Sequence, residues 1–205
     1  MIPYLHLLPA KLVRRLIRPY RAIEGFLTEG EAVALFRCAN RVRAGATLVE
    51  IGSWKGKSTF CLARGLRAGG RLHVVDPFDA FGEPGSAETY ARERRERPLR
   101  AQFEDNVKAV HDRIEIHQGY SREFVGLFPV IDLLMIDGDH SIEGARFDFE
   151  NFSGKIRSGG LIAFHDYYPE RPELGPTWVI ENLVKTGGQF REFLRADSLW
   201  VGQKT

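Results

Sequence analysis

From Thr47 to Asp166 the chain alternates short β-rich runs with helical patterns, and this alternation narrows the possible folds more than any other feature. The runs are "TLVEIG", "RLHVVD", "RIEIHQG", "IDLLMIDG" and "GGLIAFHD". Each is almost continuously apolar, as a strand covered on both faces must be. Helices are expected between them at 57–66, 88–110, 121–127 and 142–156. Such repetition predicts an α/β, doubly wound sheet, mostly parallel, with right-handed crossovers and helices on both faces. A last helix over 178–185 leads into "FREFLRA" and "SLWVGQK", two closing strands hinged near Asp197 and Ser198. Their hairpin puts one antiparallel strand into a Rossmann-like sheet.

Ahead of the sheet, "TEGEAVALFRCANRV" reads as a helix with Thr28 as N-cap and Glu31 completing a capping box. The opening "MIPYLHLLPAKLVRRLIRPY" predicts a short amphipathic helix. Leu12, Val13, Leu16 and Ile17 share one face, and Lys11, Arg14, Arg15 and Arg18 surround the other. Its expected place is against its own domain or a partner subunit, with an anionic membrane surface as the alternative. Residues 1–45 are thus read as N-terminal helices serving as cap, lid or homodimer contact, and 46–205 as the ligand-binding domain. No apolar run approaches the roughly 20 residues of a membrane span. The start also lacks a small-residue cleavage site and carries its positive charge after its apolar part, unlike a secretory signal. The Gly/Pro-then-Arg/Glu segment 79–100 reads as a solvated helix face or as a lid beside the site.

Charge bears on partners: 29 basic against 27 acidic residues leave a net +2, without the basic excess that marks a nucleic-acid binder. Cys38 and Cys61 lie in helical patterns with no CxxC or Cys/His spacing, which fits a reduced, cytoplasmic setting.

The loop "VEIGSWKGKSTF", Val49 to Phe60, follows the first strand. Its GKST ending imitates a phosphate-binding loop, but GxxxxGK[ST] needs four residues between the glycines, and Gly52 and Gly56 have three. A glycine at the first strand-to-helix turn has another use, since it lets the backbone approach a ligand at the switch point of a doubly wound sheet. Asp76, ending the second strand, stands where a carboxylate accepts both ribose hydroxyls.

With "VEIGSxxGxST" and "IDGDHSxEG" in this order, the chain resembles the class I S-adenosylmethionine-dependent methyltransferases, and within them the small O-methyltransferase-like group, over residues 49–184. The resemblance implies a methyltransferase-type sheet and S-adenosylmethionine as cofactor. It places Glu50, Gly52, Ser53, Trp54 and Ser58 around the methionine part, Asp76 and Asp137 among the cofactor-binding residues, and Gly119, Tyr120 and Ser121 along the adenine. Trp54 also reads as a core-packing aromatic.

Asp137, Asp139, His140 and Glu143 crowd behind the fourth strand, and His165 and Asp166 end the fifth, so neighbouring strand ends bring carboxylate and imidazole together. Methyl transfer to a hydroxyl needs alignment and a more nucleophilic oxygen, which a base or a divalent ion provides. Similarity to catechol-type and sugar O-methyltransferases implies a divalent metal, magnesium or manganese, on Asp137, His165 and Asp166, with His140 as general base. His165 departs from the catechol-type pattern, which has a carboxylate there; His140 also reads as a buried helix-capping histidine, and Asp139 as a helix cap. His73, His111 and His117 read as structural. The expected reaction is O-methylation of a small-molecule acceptor such as a sugar, a phenol or another secondary metabolite. Two alternatives are a cephalosporin-hydroxylase-like oxygenase on the same scaffold and a non-catalytic cofactor-binding subunit.

Overall fold

A computed structural model of the chain describes residues 5–78 and 97–205. The strands are β1 (Thr47–Ile51), β2 (Arg71–Asp76), β3 (Ile114–Gln118), β4 (Ile131–Ile136), β5 (Ile156–Phe164), β6 (Phe190–Ala196) and β7 (Leu199–Lys204). The described α-helices are α1 (Ala10–Leu16), α2 (Glu29–Arg41), α3 (Lys57–Gly65), α4 (Leu99–Val107), α5 (Ile142–Phe152) and α6 (Gly175–Val179), the last running on through a π-helical turn at Ile180–Val184 into a final α-helical turn at Lys185–Gly187.

The seven strands form one sheet in the order β3-β2-β1-β4-β5-β7-β6, parallel except for β7, which pairs antiparallel with both β5 and β6. The chain steps outward from β1 to β3 and returns to β4 on the other side of β1, so the switch point lies between β1 and β4. Every residue of β4 is buried, which is why its sequence shows no alternation. Leu48, Leu72, Leu133 and Leu161 face a cluster shared with α2 and α3, while Val49, Val75, Leu134 and Ile162 face one shared with α5 and α6. A three-layer α/β/α arrangement results.

The capping box of α2 is present: Thr28 Oγ1 accepts from Glu31 N at 3.2 Å, and Glu31 Oε2 accepts from Thr28 N at 2.8 Å. The apolar side of the amphipathic N-terminal segment, with Val13, Ile17, Tyr20 and Ile23, belongs to the cluster that covers the sheet. Among the described residues no helix is long and apolar enough to cross a membrane.

Local differences from the expected elements have local causes. The helix expected over 121–127 is only a 3-10 turn, Ser121–Glu123, because Gly126 and Pro129 leave too little chain to repay nucleation. The helix expected over 142–156 stops at Phe152, since Ile156 already pairs with Ile131. Of the segment 88–110, residues up to 96 lie outside the described part; α4 starts after Pro98, and Lys108–Arg113 is 3-10. The alternative readings of 79–100 fall almost wholly outside the described residues.

Candidate active site

β1 and β4 run side by side with Ile51 opposite Ile136, so the residues that follow them are forced together. Asp137 N donates to Ile51 O at 2.8 Å. Gly52 has φ +82, and a Cβ there would lie 2.1 Å from the Asp137 carbonyl oxygen. Only glycine permits that approach.

The loop after Gly52 is moulded round Asp76. Asp76 Oδ2 accepts from Ser53 N at 2.7 Å, Trp54 N at 2.9 Å and Ser53 Oγ at 3.1 Å, and Oδ1 accepts from Phe78 N at 2.7 Å. Burial nonetheless pushes the Asp76 carboxyl above its ordinary value, against the pull of these donors. Glu50 is fully buried one strand away; its Oε2 accepts from Thr59 Oγ1 at 2.5 Å, while its Oε1 has no hydrogen-bond partner. Burial drives the Glu50 carboxyl up to about 8, although the Ser58 and Thr59 hydroxyls oppose it. Trp54 takes a left-handed φ of +47 and stacks on the exposed Phe26 with ring centroids 5.5 Å apart. Lys55 pairs with Glu24 at 2.6 Å and Lys57 donates to the Gly25 carbonyl at 3.0 Å, so residues 24–26 roof the loop.

Gly119 N donates to the Asp76 carbonyl at 3.1 Å, which ties the end of β3 to the same corner. Tyr120 is exposed there, and Ser121 Oγ donates to Asp148 Oδ1 at 2.5 Å. Burial raises that Asp148 carboxyl to about 7, with the Ser121 hydroxyl opposing.

Asp137, His140 and Asp166 converge at the ends of β4 and β5. His140 Nε2 lies 3.5 Å from both Asp137 Oδ1 and Asp166 Oδ2, and the three side chains are 21–29% exposed. Their donor atoms all lie within 4.8 Å of one another, a spacing that suits a metal ion. Asp166 holds φ +58, left-handed backbone that a β-carbon makes costly and that collects at functional sites. His165 is buried behind this cluster, with Nδ1 3.2 Å from Asp137 Oδ1 and 3.4 Å from Asp166 Oδ2, and Nε2 3.4 Å from Glu31 Oε2. Burial works against its charge, but three carboxylates override burial and raise His165 far above the ordinary imidazole value. Burial likewise opposes the charge of Asp137, and the facing His165 and His140 outweigh it, leaving Asp137 at about 2.

The expected residues therefore gather at one edge of the sheet in two groups, Glu50–Ser58 with Asp76 and 119–121, and Asp137, His140, His165 and Asp166. Glu31 escaped the sequence reading. Its capping-box pattern is visible, but its second role is not: Oε1 also accepts from Ser198 N at 2.9 Å and Ser198 Oγ at 2.7 Å, and Oε2 faces His165 across 134 positions. Asp148 escaped as well, and its place about two turns into α5 carries no signal of a partner in the 119–121 turn.

Solved structures with this architecture include the O-methyltransferase NovP, at 16% identity over 96% of this chain and 100% of that one, with a TM-score of 0.69. The O-methyltransferase from Bacillus cereus in complex with S-adenosylhomocysteine aligns at 18% identity over 97% of this chain and 93% of that chain, with a TM-score of 0.59. TomG from Streptomyces achromogenes, an O-methyltransferase in complex with S-adenosylmethionine, aligns at 16% identity over 96% and 89% of the two chains, with a TM-score of 0.59. These likenesses establish the fold. Residues 49–167, more than half the chain, match the family described as methyltransferase domain, and they contain both groups of converging side chains. The chain therefore belongs to that family and is a class I S-adenosylmethionine-dependent methyltransferase.

Proposed function

We propose that this enzyme methylates a hydroxyl oxygen of a small molecule, with His140 as general base beside a divalent ion held by Asp137 and Asp166. The observation that carries this reading is the convergence of one half-buried imidazole with two carboxylates at the strand ends adjoining the glycine loop. The O-methyltransferases that share the fold support oxygen as acceptor atom, and the charge balance agrees with a small molecule rather than nucleic acid.

The residues fit the cofactor. Glu50 Oε1 is a buried acceptor awaiting a donor, and the methionine ammonium of S-adenosylmethionine is of the right charge. Gly52, Ser53, Trp54 and Ser58 form the wall beside it, Gly119, Tyr120 and Ser121 line the adenine end, and Asp76 sits at the ribose position while fixing the loop with its own hydrogen bonds. When bound, the cofactor supplies an electrophilic methyl group on a sulfonium.

The metal reading differs from the sequence expectation in one ligand. Both His165 ring nitrogens face carboxylates, the arrangement of a protonated imidazole, which has no lone pair to offer. His165 is therefore read as the group that positions Asp137, with Glu31 holding it from behind, and the oxygens of Asp137 and Asp166 suit magnesium or manganese. Such an ion supplies charge that lowers the pKa of a bound hydroxyl. His140, open to solvent between the two aspartates, is placed to accept the acceptor's proton. Residues 5–45 cover the site from the N-terminal side through Glu24, Gly25 and Phe26, and we read them as a cap.

Single-turnover transfer from labelled S-adenosylmethionine to an identified acceptor tests the reading. His140→Ala should lower kcat by about 10²–10⁴ and leave S-adenosylhomocysteine affinity nearly unchanged. Full activity of that variant removes His140 as base, and full activity in chelator removes the metal alone. Tight cofactor binding with no turnover on any hydroxyl acceptor would favour a non-catalytic role.

A further inference from the structure

The outer edge of the sheet carries a second cluster of metal-ligating side chains, which the methyl-transfer site does not use. His73 lies on β2, and Glu115 and His117 lie on β3, the edge strand. β2 and β3 are parallel with His73 opposite Glu115 and Val75 opposite His117, so the period of two puts all three side chains on one face. That face is the one covered by α5, and the cluster sits part-way along the strands, back from their carboxyl ends where Asp76 and the glycine loop meet.

The donor atoms point at one another. His73 Nδ1 is 3.0 Å from His117 Nε2, and Glu115 brackets the pair with Oε2 3.6 Å from the first nitrogen and Oε1 3.7 Å from the second. An imidazole–imidazole hydrogen bond accounts for the first distance but not for the carboxylate, which is too far from either nitrogen to accept from it. Three donors round a common point account for all of them. At zinc–nitrogen and zinc–oxygen bonds of about 2.0–2.2 Å, two ligands of a tetrahedral ion stand roughly 3.3–3.6 Å apart, close to the separations found here.

We propose that His73, His117 and Glu115 form a second metal site, of the zinc class, on the β2–β3 edge of the sheet. Two imidazoles and one carboxylate are a zinc ligand set that leaves a further position for water. The donors match that borderline-soft ion better than magnesium, which asks for oxygen. The site is held in shape by aromatic packing. Phe128 meets the His73 ring edge-on at 5.1 Å and the His117 ring at 5.7 Å, and Phe124 lies 5.4 Å from His117. Burial lowers both imidazoles below their ordinary value. Glu115, whose side chain is 56% exposed, gives the ion its route in from solvent. Arg71, two residues before His73 on the same face of β2, has its guanidinium engaged by the Asp112 carbonyl at 2.6 Å. An ion here cross-links the edge strand to its neighbour and so strengthens the end of the sheet that has no further strand to pair with.

The test separates this site from the one at the β4 and β5 ends. Full-length protein is stripped with chelator and titrated with Zn²⁺, and with Co²⁺ as a spectroscopic stand-in, in an Asp137→Asn/Asp166→Asn background that silences the other cluster. One equivalent of zinc should bind, with cobalt giving the visible absorption of a four- or five-coordinate site. In that background His117→Gln and Glu115→Gln should each weaken zinc by at least about tenfold, and zinc should raise the melting temperature of the parent but not of either variant. With Asp137 and Asp166 intact, His117→Gln should leave S-adenosylhomocysteine affinity unchanged. Failure of the Asp137→Asn/Asp166→Asn protein to bind zinc, or zinc binding untouched by Glu115→Gln, overturns the proposal. Glu115 is exposed, so its variant tests the site even if His117→Gln folds poorly.

Discussion

At the ends of β1 and β2 the carboxylates of Glu50 and Asp76 are buried, and burial raises both above their ordinary values. At the ends of β4 and β5, in the same sheet, Asp137 and Asp166 stay part-exposed among imidazoles, and Asp137 falls to about 2. The first half is a mould: backbone N–H groups and a glycine fix its shape, and burial works against the charge of both its acids. The second half is a network of acids and imidazoles, in which Glu31, His165, Asp137, His140 and Asp166 follow one another from the interior to solvent. A mould suits a cofactor that is the same in every turnover, and a solvent-facing network suits a site where a proton must leave.

The largest effect should come from the mould. Gly52→Ala puts a Cβ 2.1 Å from the Asp137 carbonyl oxygen at φ +82, backbone against backbone, with no flexible side chain to give way. Overpacking and left-handed strain together should cost about 3–5 kcal/mol, read as a lower denaturation midpoint, and S-adenosylhomocysteine binding should disappear in titration calorimetry. A stable variant that still binds would mean that the strand ends separate easily, and the two halves would then not be rigidly joined.

The next effect probes the network from its buried end. Glu31→Gln keeps a side chain that can accept from Ser198 but removes the anion facing His165, so stability should fall by about 2–3 kcal/mol near neutral pH. Burial opposes the Glu31 charge, but His165, Ser198 and the Thr28 N–H prevail and set it at about 2. Its contribution is therefore present above the unfolded value near ~4.3 and fades as pH falls towards 2. Melts of the two proteins should converge in acid and diverge above pH ~5. If turnover falls more than cofactor affinity, Glu31 acts on the acceptor half through His165. Equal loss of both would make it a purely structural tie.

How much of this was readable in the chain follows the same division. The mostly parallel sheet, the closing hairpin and the glycine turn after β1 follow from local patterns, because continuous apolar runs and a glycine spacing report backbone geometry directly, whereas the strand order and the approach of Gly52 to Asp137 emerge only in the fold. The gathering of Asp137, His140 and Asp166 was legible because each ends a strand or lies within one turn of it. What escaped depends on pairs distant in sequence. Glu31 looks like an ordinary capping-box acid until β5 and the β6–β7 hairpin deliver His165 and Ser198 to it. His73 and His117 look like isolated strand histidines until β2 and β3 pair in the one register that brings their nitrogens to 3.0 Å. The expected 121–127 helix failed for a different reason: its periodicity was real, but the chain turned before a helix could be sustained.

The smallest expected effect tests the mould's electrostatics alone. Between the unfolded carboxyl value near ~4.3 and about 8, folded Glu50 keeps a proton that the unfolded chain has released, so the folded state binds more protons and stability falls as pH rises. Glu50→Gln cannot lose that proton and retains the contact with Thr59. Its stability should drop less than that of the parent between pH 5 and pH 8, by about 1–2 kcal/mol, because the amide N–H left without an acceptor costs the same at both pH values and cancels. Denaturant midpoints at the two pH values read this directly. The cofactor should reverse the sign of the benefit. An ammonium beside Oε1 favours the ionised carboxylate, so S-adenosylhomocysteine binding at pH 7 should release a proton from Glu50, seen as a binding enthalpy that changes with the ionisation enthalpy of the buffer. In Glu50→Gln that buffer dependence should vanish while affinity falls. Buffer dependence that persists undiminished would show that the proton comes from elsewhere, and that the buried acid of the glycine loop is not what meets the cofactor's charge.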